Sequence, residues 1–269
     1  MTAEDALAGS PIERPLFDEP GEGPGWARVK LRVLVSETVD CRKVLRQSCA
    51  CAGVSLPTGI AAEDVPDRDW LVSSQSQFDP ICISRRLWIV PSWHRPPVPD
   101  AVNLRLDPGR AFGTGSHPTT ILCLLWLQQY VRGGETVLDY GTGSGILAIA
   151  AMKLGAARAV GVDIDRSAVL VARENAERNG VKCEFRLNKA PSRMQADLLV
   201  ANILANPLRA LAPVFADHLQ SGGRIALSGI IEGQDLEVRR SYEPWFRFGA
   251  PARRDGWVRL SGIRNSSPR

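Results

Sequence analysis

The stretch Asp139-Tyr140-Gly141-Thr142-Gly143-Ser144-Gly145 places three glycines at alternate positions directly after an apolar run. Such spacing lets the backbone turn sharply and approach a ligand with no Cβ in the way, and a helix beginning there offers free N–H groups. A dinucleotide fingerprint requires Gly-x-Gly-x-x-Gly, but position 146 is isoleucine, and the Gly-Lys-Ser/Thr of a phosphate loop is absent. The spacing instead suits a nucleoside without a pyrophosphate, with a small group such as an amino acid lying along the backbone. About one βα unit later, Asp163 stands at the end of an apolar run, where a carboxylate accepts hydrogen bonds from two ribose hydroxyls. Asp165 has a plainer use as a helix cap before Ser167. Asn202 closes "DLLVAN"; there it either takes a hydrogen from a bound amine or caps the helix that Pro207 opens.

These groups need a frame. From Thr136 onward, strand and helix signals alternate: "TVLDYG", a helix stopped at Gly155, "AVGVDI", a helix stopped at Gly180, then "VKCEFRL" and "ADLLVANI" as strands. A helix "PLRALAPVFADHLQSGG" and the strand "RIALSGI" follow. Helices of this length between strands imply right-handed crossovers and a mostly parallel sheet. The segment "FRFGAPARRDGWVRLSGI" reads as two strands around a loop, adding an antiparallel edge. Upstream, residues 1–25 carry clustered Pro and Gly and read as a poorly ordered arm. "WARVKLRVLV" alternates as a strand and "DCRKVLRQSCACAG" follows at helical spacing, which predicts a small α/β domain over 26–90. "ISRRLWIVPSWHRPPVPD" is a strand entering a Pro-rich linker, 91–106, before the main domain at 107–265.

With 269 residues, of which 44% are hydrophobic and 23% charged, one full α/β core plus a smaller appendage is expected. No apolar run approaches the roughly 20 residues that span a bilayer, and the N-terminus is acidic and Pro-rich, so a cytoplasmic protein with no membrane contact is expected. The six cysteines sit mostly in apolar runs without chelating spacing, which predicts reduced core residues and no metal. A net charge of +4 falls short of a nucleic-acid signature, and direct nucleic-acid binding is not expected.

Taken in order, "DPGRAFGTGSHPTT", "LDYGTGSGILAIAAMKLGA", "GVDID", "ARENAERNGV", "VANILANPLRALAP" and "GGRIALSGI" resemble the ribosomal protein L-eleven methyltransferases, the PrmA family. "AFGTGSHPTT" is the specific part, and the likeness runs from Trp70 to about Gly262. The resemblance implies a class I methyltransferase fold with a seven-stranded, mostly parallel sheet and a small N-terminal substrate-recognition domain, here shortened. It also implies S-adenosylmethionine (AdoMet) as methyl donor and the ribosomal protein's lysine ε-amines and an α-amine as acceptors. Family contacts to AdoMet fall on Thr120, Gly141, Asp163 and Asn202, and the bend adds Gly143 and Gly145. Ser116 stands where the family commonly has Thr, and Asn206 where it has Gly.

An amine must be neutral to accept a methyl, and a free lysine near pKa 10.4 is protonated; an apolar mouth lowers that pKa by desolvation. Phe112 and Asn202 are the candidates for substrate positioning, the ring as an apolar or cation-attracting wall; packing under the loop is the alternative for Phe112. His117, beside Pro118, reads as a structural contact at a helix start. A methyltransferase for nucleic-acid amines is disfavoured by the lack of an aromatic after Asn202, and one acting on another protein is an alternative. A nicotinamide dehydrogenase is disfavoured by Ile146, and an AdoMet-binding module without a substrate is the remaining alternative.

Overall fold

The computed structural model describes residues 2–5, 29–32, 40–56, 78–107, 115–188 and 194–266. The chain divides into two compact units, Met1–Pro66 and Asp67–Arg269. In the first, strands β1 (Thr2–Asp5) and β2 (Val29–Arg32) pair antiparallel. Helix α1 (Cys41–Ala52) is opened by the Asp40 carboxylate, which accepts from the N–H groups of Arg42 and Lys43, and closed by Gly53 at φ 66°.

The second unit holds a three-stranded sheet of β3 (Ile81–Ser84), β4 (Leu87–Val90) and β5 (Val102–Arg105). The segment read as one strand is thus a hairpin turned at Arg85-Arg86, with β4 then pairing parallel to β5 across the Pro-rich stretch. That stretch, 91–99, lies within the second unit. Prolines lack the N–H that a ladder needs, so the chain there crosses between strands without pairing.

The large sheet contains β6 (Thr136–Tyr140), β7 (Arg158–Asp163), β8 (Glu184–Leu187), β9 (Ala196–Asn202) and β10 (Leu219–Ile231), joined through parallel pairings. Three further strands, β11 (Phe246–Phe248), β12 (Ala252–Arg254) and β13 (Trp257–Arg264), complete it in the order β11-β13-β10-β9-β6-β7-β8, with β12 beside β13. The C-terminal segment therefore forms three strands rather than two. The antiparallel strand β13 is inserted between β10 and β11 instead of lying at the margin. It is turned into place by Asp255 and Gly256, both at positive φ. Strand order reverses at β6, flanked by β7 and β9, which opens a crevice at its carboxyl end.

Helices α2 (Pro118–Tyr130) and α3 (Ile146–Lys153) are apolar on most sides and become largely buried. Trp126, Leu127 and Ile149 share a core with Leu87 and Leu104 of the small sheet and Val200 of the large one. Helix α4 (Arg166–Arg178) adds Val169 and Ala172 to that core. The opposite sheet face is covered by α5 (Ala205–Ala210), α6 (Ala212–His218) and α7 (Asp235–Tyr242), with Leu208, Phe215 and Tyr242 buried on Leu199 and Ile225. The Tyr242 hydroxyl donates to the Leu208 carbonyl at 2.7 Å, which satisfies the one polar atom its ring buries.

The helix expected from Pro207 to Gly223 is instead two short ones that meet at Leu211, and the last residues join β10. Pro213 explains the break, since it offers no N–H to Arg209 and its ring crowds that carbonyl. The cysteines also differ from expectation: Cys123 is buried, whereas Cys41, Cys51 and Cys82 are exposed. Among the described residues no helix is long and apolar enough to cross a membrane.

Candidate active site

Strand β6 delivers the chain into the bend. Gly141, Gly143 and Gly145 all adopt positive φ (77°, 52° and 80°), conformations that side chains disfavour. Space is also lacking. A Cβ at Gly141 would come within 2.4 Å of Ile203 Cγ2, and one at Gly145 within 2.9 Å of Ala172 Cβ and 3.0 Å of the Phe185 ring. The bend is fixed from inside by Gly141 and Thr142 N–H donating to the Val162 carbonyl at 2.8 and 3.0 Å, and by Gly145 N–H donating to Thr142 O at 2.8 Å.

Asp163, at the end of β7, reaches this bend. One carboxylate oxygen accepts from Gly143 N–H at 2.9 Å and the other from Asp165 N–H at 3.0 Å. Each oxygen retains a further lone pair for a ligand hydroxyl. Asp165 caps α4, accepting from both the N–H and the hydroxyl of Ser167. Ile164, between the two acids, is 84% exposed. Nearby, Asn188 donates its N–H to the Asp163 carbonyl at 2.7 Å and its side-chain amide to the Tyr140 hydroxyl at 2.5 Å.

On the other side of β6, the Asn202 amide donates to Thr120 Oγ at 3.3 Å. The Asn202 carbonyl oxygen takes no hydrogen bond from the described residues and remains available as an acceptor. Thr120 is 2% exposed and lies in the first turn of α2. His117 caps that helix by accepting from Thr119 N–H, its ring edge-on to Trp257 at 4.8 Å. Burial holds the His117 pKa below its ordinary value, which favours the neutral, accepting ring. The Ser228 hydroxyl donates to Thr119 O at 3.4 Å, and Ser228 pairs with Asn202 in the ladder, so the α2 turn is tied to the strand tips. Phe112 lies outside the described residues.

Sequence reading missed three supports. Asp139 is fully buried; its Oδ2 accepts from Thr142 Oγ at 2.6 Å and Ala148 N–H at 3.1 Å, and its Oδ1 has no partner among the described residues. Burial pushes its carboxyl up to about 7, against the pull of those two donors. The second is Gly229, where a Cβ would fall 2.3 Å from Ile203 O, a backbone approach only glycine permits. The third, Trp257, closes on His117 from a strand far along the chain. Only Asp139 had a local signal, a carboxylate inside an apolar strand.

A parallel sheet reversing at a glycine-bend strand, with one antiparallel strand beside its last parallel one, defines a class I AdoMet-dependent methyltransferase. The family can be named more narrowly. The family described as ribosomal protein L11 methyltransferase (PrmA) matches residues 2–265, and the chain belongs to it. The ribosomal protein L11 methyltransferase of Thiobacillus denitrificans is 52% identical over 266 residues, spanning 98% of this chain and 90% of that one. That of Chromobacterium violaceum is 50% identical over 266 residues, spanning 98% and 89%. A crystal structure of ribosomal protein L11 methylase from Lactobacillus delbrueckii subsp. bulgaricus superposes with a TM-score of 0.64 at 38% identity, covering 70% of this chain and all of the other.

Proposed function

We propose that this protein transfers methyl groups from AdoMet to lysine ε-amino groups, and to an N-terminal α-amino group, of ribosomal protein L11 in the cytoplasm. What carries the reading is the pairing of two polar stations on either side of β6: Asp163 on Gly143, and Asn202 on Thr120. The donor fits the first station. A bend whose virtual Cβ positions are already filled leaves bare backbone toward a ligand, and Asp163 keeps lone pairs for a ribose diol. Ile164, exposed beside it, offers an apolar face to a flat base.

When bound, AdoMet supplies an activated methyl on a sulfonium. The chain's own groups then have to present a neutral amine. Asn202 accepts one amine hydrogen on its carbonyl oxygen, and Thr120 holds the amide so that this oxygen faces outward. Desolvation of the entering lysine lowers its pKa, and its proton leaves to water before transfer. Orientation and exclusion of water therefore supply most of the acceleration. Residues 26–90 recognise the substrate protein.

The test is to incubate the protein with methyl-labelled AdoMet and unmethylated ribosomal protein L11, then locate label by peptide mass spectrometry. Label on lysines and the amino terminus is expected; label only on another protein or on nucleic acid would replace this reading.

A further inference from the structure

At the amino end of the parallel strands, away from the glycine bend, a cavity of about 290 Å³ is lined by Trp126, Tyr130, Arg224, Arg247, Phe248 and Ser261 among others. Strand register explains the cluster. Arg224 of β10 and Arg247 of β11 both pair with Ile263 of β13, which lies between them. Residues directly opposed across strands share one face of the sheet, so the two arginines flank a single isoleucine. With strands about 4.8 Å apart, their backbones stand roughly 10 Å from each other, within reach of one small ligand. The last turns of α2 lay Trp126 and Tyr130 over this row.

Among the described residues, the lining of this cavity contains no Asp or Glu. Among the described residues neither arginine takes part in an ion pair. The Arg224 guanidinium lies 4.6 Å from the centroid of the Tyr130 ring, which holds it in position without neutralising it. Deeper on the same face of β13, Arg259 donates to the Leu122 carbonyl at 3.0 Å while its Nε has no partner. Guanidiniums gathered beside an apolar wall repel one another, and an anion entering the cavity relieves that cost.

We propose that this cavity binds a nucleotide, with Arg224 and Arg247 taking the phosphate and the Ser261 hydroxyl donating to it. The base lies against the apolar wall of Tyr130 and Ile263. The phosphate belongs either to a free nucleotide or to the end of an RNA chain. This is a single phosphate pocket and calls for no basic tract, in keeping with the modest net charge.

Uridine monophosphate is the suitable probe, because it lacks the adenine for which the bend at the other end is shaped. Titration of the full chain by calorimetry with uridine monophosphate, inorganic phosphate and a 5′-phosphorylated oligouridylate separates the sources. Saturable binding of the mononucleotide is expected, stronger than that of phosphate alone and weakened by salt. The oligonucleotide binding more tightly identifies an RNA end as the source, and equal binding identifies the free nucleotide. Arg224→Ala and Arg247→Ala should each weaken binding about tenfold or more and leave AdoMet affinity unchanged. Arg247 is exposed, so its variant remains informative if Arg224→Ala fails to fold. No saturable binding of either nucleotide at millimolar concentration would overturn the proposal. So would displacement of the probe by AdoMet or binding indifferent to Arg247→Ala.

Discussion

Replacing Asp163 with alanine removes the carboxylate that accepts from the Gly143 N–H of the glycine bend. In the structure its two oxygens accept from Gly143 and Asp165 N–H at 2.9 and 3.0 Å, leaving one lone pair on each for a ribose hydroxyl. A hydrogen bond to a charged acceptor contributes about 1.5–3 kcal/mol net. Two such bonds, added conservatively, come to about 3 kcal/mol, or roughly a hundredfold in Kd. The bend itself loses an anchor at Gly143, for about 1 kcal/mol of stability in the free protein. Asp163→Asn preserves the shape but turns an amide hydrogen toward one of its backbone donors, so its affinity for AdoMet should fall between wild type and Asp163→Ala. Calorimetric titration with AdoMet, beside thermal melts of the unliganded variants, separates binding from folding. Binding within twofold of wild type for a folded Asp163→Ala would refute the assignment of the ribose to this carboxylate.

Other expected outcomes concern the supports of the site. Gly141→Ala combines a φ of 77°, costing about 1–2 kcal/mol for any side chain, with a Cβ 2.4 Å from Ile203 Cγ2; AdoMet affinity should drop while the variant still folds, measured by titration and urea unfolding. Gly229→Ala meets the Ile203 carbonyl at 2.3 Å, where backbone must move, so it should destabilise more than Gly141→Ala in the same unfolding assay. Asp139 has its folded pKa raised to about 7 by burial, from an ordinary value of 3.8. The folded state therefore holds the proton more tightly, and the stability this gives is fully present below about pH 4 and lost as pH rises through 7. Asp139→Asn should flatten that part of the urea-midpoint profile between pH 4 and 7; an unchanged slope would mean the carboxyl titrates normally.

The groups that were legible in the sequence are those whose meaning is local. Glycines at alternate positions after an apolar run, Asp163 at a strand end and Asn202 at the next tip each announce a turn or terminus within a few residues. Helix stops at Gly53, Gly155 and Gly180 belong to the same kind of signal. Pairings set by distant register were not legible. Thr120 meets Asn202 across 82 residues, and nothing near either one specifies the other. Gly229 reads as a break in an apolar strand, and only the approach of Ile203 O gives it a reason. The hairpin at Arg85-Arg86 was hidden because its turn carries charged residues rather than Gly, Asn or Pro. The helix break at Leu211 was visible in principle, since Pro213 stands in the middle of the expected helix.

In the proposed mechanism a carboxylate holds the cofactor and an amide aims the acceptor amine. Asn202→Ala tests that division most directly, by comparing its AdoMet Kd with its single-turnover rate of methyl transfer to ribosomal protein L11. The prediction is a Kd within about threefold of wild type and a rate lower by roughly a hundredfold, the scale of one lost positioning contact. Equal losses in both, or no loss in the rate, would contradict it.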